Sequence, residues 1–416
     1  MIMKIKKFAS YLLAFAAAAS LLCQSSIFAE EATSPAAAEI TTNTLSNWPS
    51  GPEVTSTAAI VMEESTQTIL YAKNMDEVLY PGAAVKIMTT LTALENASLD
   101  DTVKMTATGL AGATDGGAHI AAQLDEEFTL EQCLYAVMLA SANDIALQVA
   151  EQVGGSVENF VALMNTRAKE LGCTNTVFTN PTGMTDENQH TTAHDLALIM
   201  NAAIENETFC TIAAAGSYTI PATNKSGGER TLTNNFSMLD TSKATYYQGC
   251  LGGKEGFTQA SLSTLVCAAQ RNGITLISVV LQGADGQTEQ DAIATLDYGF
   301  SNFQILDAGK EDFDVISGGN VVLPTTASLS DITYEDTDDG ESISRTYYFG
   351  STKIGSAKIM PEEKIDTTIV EQNKQNLQDA ESFSADKSYT PYYIIGGIGI
   401  LLLLLSIFGI VKVAKS

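Results

Sequence analysis

Lys86 stands three residues after Ala83 in the run Tyr80-Pro81-Gly82-Ala83-Ala84-Val85-Lys86-Ile87-Met88-Thr89, which reads as the start of a helix. A spacing of three puts both side chains on one helix face. A serine followed by a lysine at that spacing is a nucleophile with its general base one turn away. Here the lysine is present and alanine stands where the attacking hydroxyl would be. No serine or threonine lies between Leu79 and Met88 to replace it. A second chemical cluster is Ser141-Ala142-Asn143, at the end of an apolar helical stretch. It offers a hydroxyl that can relay a proton and an amide that can hold a substrate carbonyl or amide. A third is Lys254-Glu255-Gly256, followed by Phe257-Thr258 on a predicted strand. The lysine supplies a cation, and the glycine lets another backbone lie close.

The elements that must position these groups follow from periodicity. Ala58–Met62 and Thr68–Tyr71 read as a strand hairpin. Helical spacing appears over 84–96, 130–139, 144–152, 157–171 and 192–204. Strand-like runs return at 262–270 and 275–281, separated by a turn at Asn272-Gly273, and 291–303 reads as a helix. Strands, then helices, then strands, then a helix predict an α+β fold, an antiparallel sheet with its helices gathered to one side. Beyond Asp307 short alternating runs broken by glycine and acidic turns predict a small all-β domain over 307–361. Residues 362–390 form a polar stretch, read as a stalk.

Both ends point to export. Lys4, Lys6 and Lys7 precede an apolar run from Phe8 to Leu22, and Ala29 offers a small residue for cleavage, so 1–29 reads as a signal peptide. Residues 30–56 read as a flexible leader. Tyr392 to Val411 is an apolar run long enough to cross a bilayer, and 391–413 is read as a transmembrane helix. Lys412 and Lys415 follow it, which places the body on the outer side. The 416 residues carry 49 acidic and 22 basic side chains, a net charge of −27. That balance excludes nucleic acid, whose phosphates need a basic surface. Of six cysteines only Cys23 falls in the signal peptide, and no Cys-x-x-Cys occurs; the rest read as isolated thiols.

The three chemical clusters occur in the order of a penicillin-recognising serine hydrolase, and their flanks are specific. They include Leu70-Tyr71-Ala72-Lys73-Asn74, Leu139-Ala140-Ser141-Ala142-Asn143-Asp144, Asn180-Pro181-Thr182-Gly183, Gly252 to Thr258 and Leu296-Asp297-Tyr298-Gly299-Phe300. Residues 57–306 thereby resemble the D-alanyl-D-alanine carboxypeptidases, the low-molecular-mass penicillin-binding proteins of the serine peptidase type. The resemblance implies a penicillin-binding transpeptidase/β-lactamase-like domain, a β-rich domain after it and membrane attachment. It implies no cofactor and no metal. Carried over, Ala83 is the position of the lost nucleophile, Lys86 matches the general base and Ser141 the proton relay. Asn143, Lys254, Glu255, Gly256 and Thr258 fall at substrate-binding positions, with backbone N–H groups at Ala83 and near Thr258 forming an oxyanion hole. Glu255 departs from the family's threonine and puts an anion where a substrate carboxylate is bound. Two like charges about 4 Å apart repel by about 1 kcal/mol in water and more in a cleft.

Plainer roles are open for each position. Lys86 can be a salt-bridged helix residue, Ser141 and Asn143 helix caps, and Glu255 a partner for Lys254 or Lys86. His190 and His194 lack a companion carboxylate motif and read as surface or capping groups; Asp336 to Glu341 reads as a solvated turn. The function expected is that of a carboxypeptidase homologue in the bacterial cell envelope, binding a peptidoglycan stem peptide or a wall-synthesis protein, and catalytically impaired. The alternatives are an active peptidase with another nucleophile and a structural envelope protein.

Overall fold

The computed structural model describes residues 39–310, 315–338, 340 and 342–360. The signal-peptide and transmembrane readings, and the stalk, lie outside these residues. Among the described residues no helix is long and apolar enough to cross a membrane. They divide into two compact units. The first runs to Ile305 and includes Val322–Ala327; the second takes Leu306–Val321 and the residues from Ser328.

In the first unit β1 (Ala58–Glu63) and β2 (Ile69–Lys73) form the hairpin predicted from sequence. Every residue of β1 is buried, because it is an interior strand, between β2 and Ile274–Gly283, of a five-stranded antiparallel sheet completed by Leu262–Arg271 and Cys250–Thr258. Helix α1 (Val85–Asn96) buries its first nine residues, Val85 to Ala93, so its apolar positions need no single stripe. A short β3 (Thr102–Lys104), the helix α2 (Ala107–Ala111) and β4 (Glu127–Thr129) follow. Helix α3 (Leu130–Leu139) starts at a capping box, with Thr129 and Gln132 bonding reciprocally. Then come α4 (Asn143–Gly154), α5 (Val157–Glu170), α6 (Ala193–Ile204) and α7 (Glu207–Ala214). A small hairpin of β5 (Ser217–Ile220) and β6 (Arg230–Thr233) precedes the long strands β7 (Cys250–Thr258), β8 (Leu262–Arg271) and β9 (Ile274–Gly283). Helix α8 (Thr288–Asn302) closes this unit's helices.

The second unit holds most of a second sheet, of order β10-β11-β14-β13-β12. Its strands are β10 (Phe303–Asp307), β11 (Val315–Pro324), β12 (Ile332–Asp338), β13 (Ile343–Phe349) and β14 (Thr352–Ile359). The architecture is α+β with antiparallel sheets, as the order of elements predicted.

Two expectations are corrected. The leader expected over 30–56 is packed from Ile40 onward. Ile40, Trp48 and Val54 are buried, and Trp48 Nε1 donates to Leu70 O at 2.9 Å. A composition rich in Ala, Thr and Ser hid a few apolar anchors. The acidic turn expected from Asp336 is in part strand: Asp336 to Asp338 end β12, and Arg345 on β13 reaches Asp336 at 2.8 Å. Cross-strand charge pairing lets an acidic run enter a sheet.

Candidate active site

Ala83 sits half-exposed in a 3-10 turn, Gly82–Ala84, that runs directly into α1. The edge strand β7 lies against it. A Cβ added to Gly256 would overlap the Ala83 methyl, so only glycine allows this approach. Lys86 lies one turn into the helix and is 2% exposed. Its Nζ donates to Asn143 Oδ1 at 2.8 Å and, in a short bond, to Thr182 O. Two acceptors match the two N–H donors of a neutral amine, whereas an ammonium has three. Burial, and then the Lys254 charge, pull the Lys86 pKa down to about 7, against a rise from Asp115. Lys86 has no carboxylate within ion-pair distance among the described residues, which removes its salt-bridge reading.

The Asn143 side chain is held at both ends. Its Oδ1 accepts from Lys86, and its Nδ2 donates to Asp115 Oδ2 at 3.1 Å. Its backbone N–H donates to Ala118 O at 2.7 Å, so the 115–118 loop lies on the start of α4. Asn143 is the first residue of α4 and Ala142 is the N-cap, without a side-chain capping bond. The capping reading of Ser141 and Asn143 is thus corrected. Ser141 links α3 to α4 in the left-handed region, at φ 58°. Its hydroxyl has no hydrogen-bond partner among the described residues, and the residue is half-buried.

On β7, side chains alternate between the two faces of the sheet. Lys254 is 5% exposed and points to the α3 side, where Nζ donates to Met138 O at 2.9 Å. Burial brings its pKa down to about 8, opposed by Glu255. Glu255 points the other way. Ser237 Oγ donates to its Oε2 at 3.4 Å, and the carboxylate forms no ion pair with Lys254 or Lys86. The neutralising-pair reading is therefore corrected: strand alternation separates neighbours on β7. Burial, then repulsion from Glu289, raises the Glu255 pKa to about 7, against the Ser237 backbone and Lys254. Thr258 ends the strand, its hydroxyl 2.9 Å from Ser261 Oγ and accepting from Ser261 N at 2.9 Å.

The fold thus brings Ala83, Lys86, Asn143 and Gly256 together, with Ser141 two residues before Asn143 and Lys254 and Glu255 on the same strand as Gly256. Two groups were missed in the sequence. Thr182 contributes through a backbone carbonyl, which no side-chain pattern reveals; Asn180 Oδ1 fixes that loop by accepting from the N–H groups of Thr182 and Gly183 at 3.1 and 2.9 Å. Asp115 stands in the glycine-rich stretch Asp115-Gly116-Gly117, a signal of a tight loop. His190 and His194 lie elsewhere: His190 Nδ1 is 2.9 Å from Asn188 O and His194 Nδ1 is 3.4 Å from Asp76. Cys133, Cys173, Cys210, Cys250 and Cys267 are all free thiols.

Residues 45–285 match the D-alanyl-D-alanine carboxypeptidase family of peptidases. The chain belongs to that family. It is 33% identical over 254 residues to the D-alanyl-D-alanine carboxypeptidase DacF of Bacillus subtilis, a stretch covering 59% of this chain and 62% of that relative. The chain therefore matches a little under two thirds of that carboxypeptidase's length. Among solved structures, a Streptomyces DD-transpeptidase superposes with a TM-score of 0.57 at 29% identity, over 61% of this chain and all of that one. Penicillin binding protein 5 of Haemophilus influenzae gives a TM-score of 0.62 at 25% identity, over 75% of this chain and 98% of that one. Low-molecular-mass penicillin-binding proteins are thus the chain's relatives in both sequence and fold.

Proposed function

We propose that this member of the D-alanyl-D-alanine carboxypeptidase family recognises peptidoglycan stem peptides without cleaving them, at the outer face of a bacterial cell membrane. One observation carries the reading. The residue packed on Gly256 and one turn before Lys86 is Ala83, whose methyl group has no oxygen to acylate. The lysine that would activate a hydroxyl there is already bonded to Asn143 and Thr182. Removing a nucleophile leaves the binding and oxyanion contributions and takes away the covalent route. In this reading Lys86, Ser141 and Ala83 mark the former catalytic group, while Asn143, Lys254, Glu255, Gly256 and Thr258 border the peptide. A single span at 391–413 anchors the body.

A second reading has one observation in its favour. The Ser141 hydroxyl has no hydrogen-bond partner among the described residues, which leaves it available as a substitute nucleophile that would preserve peptidase activity. Incubating the full chain with a labelled penicillin, followed by intact mass spectrometry and peptide mapping, separates the two. The proposal expects no adduct. A stable adduct on Ser141 overturns it and establishes the second reading.

A further inference from the structure

The edge of β7 beside Ala83 is bordered by a residue outside every motif above. Helix α8 begins with Thr288-Glu289, and it begins over the end of the sheet where β7 turns into β8. The register fixes this. Phe257 on β7 pairs with Ser263 on β8, and Ser263 pairs with Gly283 on β9. A Cβ on Gly283 would overlap the methyl of Thr288, so the first turn of α8 rests on that row. Alternation sends Glu255 and Phe257 to the face opposite Lys254, which is the face α8 covers. Glu255 therefore shares its side of the strand with Glu289.

Neither carboxylate is neutralised. Glu255 is held by Ser237, through its backbone and through its hydroxyl at 3.4 Å, and Glu289 accepts from Thr288 Oγ1 at 3.0 Å. No lysine or arginine pairs with either among the described residues, and Lys254 is committed to Met138 O behind the sheet. Phe257, 63% exposed, follows Gly256 on the same edge and offers an apolar rest for a ligand chain. Repulsion from Glu289 is the second cause, after burial, of Glu255 keeping its proton up to about 7.

We propose that Glu289 acts with Glu255 as a specificity pair, so that the cleft selects stem peptides whose C-terminus is an amide or carries an ammonium over those ending in a free carboxylate. The proposal rests on the reading that the cleft binds stem peptides. A carboxylate terminus at Gly256 meets two acceptors of its own sign. A terminal amide donates hydrogen bonds to them, and an ammonium adds attraction. The groups acting on Glu255 are Glu289 and Ser237, Cys267 from β8 and, from the opposite face of its own strand, Lys254. As pH rises through about 7 Glu255 ionises, so the preference for an ammonium grows. Lys86 and Lys254 lose protons over a neighbouring range, so variants rather than pH alone identify the pair.

The test is calorimetry on the full chain at pH 8 with three diacetyl-lysyl-D-alanyl-D-alanine ligands: the free acid, the primary amide and the aminoethylamide. The amide and the aminoethylamide should bind at least about tenfold more tightly than the acid, a difference equivalent to about 1.4 kcal/mol. Glu289→Gln and Glu255→Thr should each narrow that ratio, and together remove it; circular dichroism checks their folding. An acid that binds as tightly as the amide overturns the selectivity while leaving stem-peptide binding in place, as does a ratio unchanged in folded Glu289→Gln. If none of the three ligands binds, the stem-peptide reading itself falls, and this proposal with it.

Discussion

Replacing Glu255 by glutamine should make the protein more stable at pH 8 and leave it unchanged at pH 4. The native carboxyl titrates near 7 instead of 4.5, because burial and Glu289 disfavour its charge. Between those values the native state holds a proton that the unfolded chain has released. Stability contributed by this group therefore falls as pH rises from about 4.5, and the full penalty is present above about 7. The interval sets a ceiling of about 3 kcal/mol. Solvent reaches part of this half-buried side chain and screens it, which leaves about 1–2 kcal/mol. Glutamine keeps the shape and an acceptor for Ser237 but carries no charge. In a unit of this size the gain corresponds to about 3–6 °C in Tm. Thermal unfolding followed by circular dichroism from pH 4 to 8 gives the comparison. The reasoning is refuted if the variant and parent unfold together at pH 8, or if the difference does not shrink towards pH 4.

Three further perturbations probe the same architecture. Ala83→Ser alone should restore little penicillin acylation, whereas Ala83→Ser with Glu255→Thr should restore about 30- to 1000-fold more, since the threonine removes repulsion and returns a donor; stopped-flow acylation and release of D-alanine from a pentapeptide read it out, and a folded but inert double variant would mean that the cleft has diverged elsewhere. Gly256→Ala should cost about 1–3 kcal/mol in urea unfolding, because the new methyl overlaps that of Ala83, and an unchanged midpoint would contradict the packing. Truncation before Pro391 should release a secreted body into the medium, and a truncated chain that still sediments with membranes would contradict the single-span reading.

The sequence was most legible where local chemistry and tertiary role agree. The β1–β2 hairpin and the helices beginning near Ala84 and Leu130 follow from periodicity. The order, spacing and flanks of the three clusters carried the family resemblance, and it was the resemblance that assigned Lys86, Asn143 and Gly256 to one site. The β5–β6 hairpin and helix α7 were not legible, since four-residue strands and an eight-residue helix are too short to show a clear period. The destinations of side chains were less legible still. Glu255 next to Lys254 in sequence suggested a pair, but a strand turns neighbours to opposite faces. The Thr182 carbonyl and the Asp115 carboxylate reach the site from segments 96 and 28 residues away from their partners. Such contacts depend on loop geometry that no short pattern encodes.

The two acceptors on Lys86 have a consequence for how this chain tolerates change. Position 83 is half-exposed at a turn, and exchanging a hydroxyl for a methyl there strands no buried polar atom. Position 86 is different. Removing its amine would leave Thr182 O and Asn143 Oδ1 short of a donor in a sealed interior, at a cost of about 1–3 kcal/mol for each unsatisfied group. Drift can therefore erase a nucleophile at little structural expense, while the adjoining base is retained as a strut between α1 and the 180–183 loop. A lysine in this position testifies to folding requirements whether or not any reaction survives.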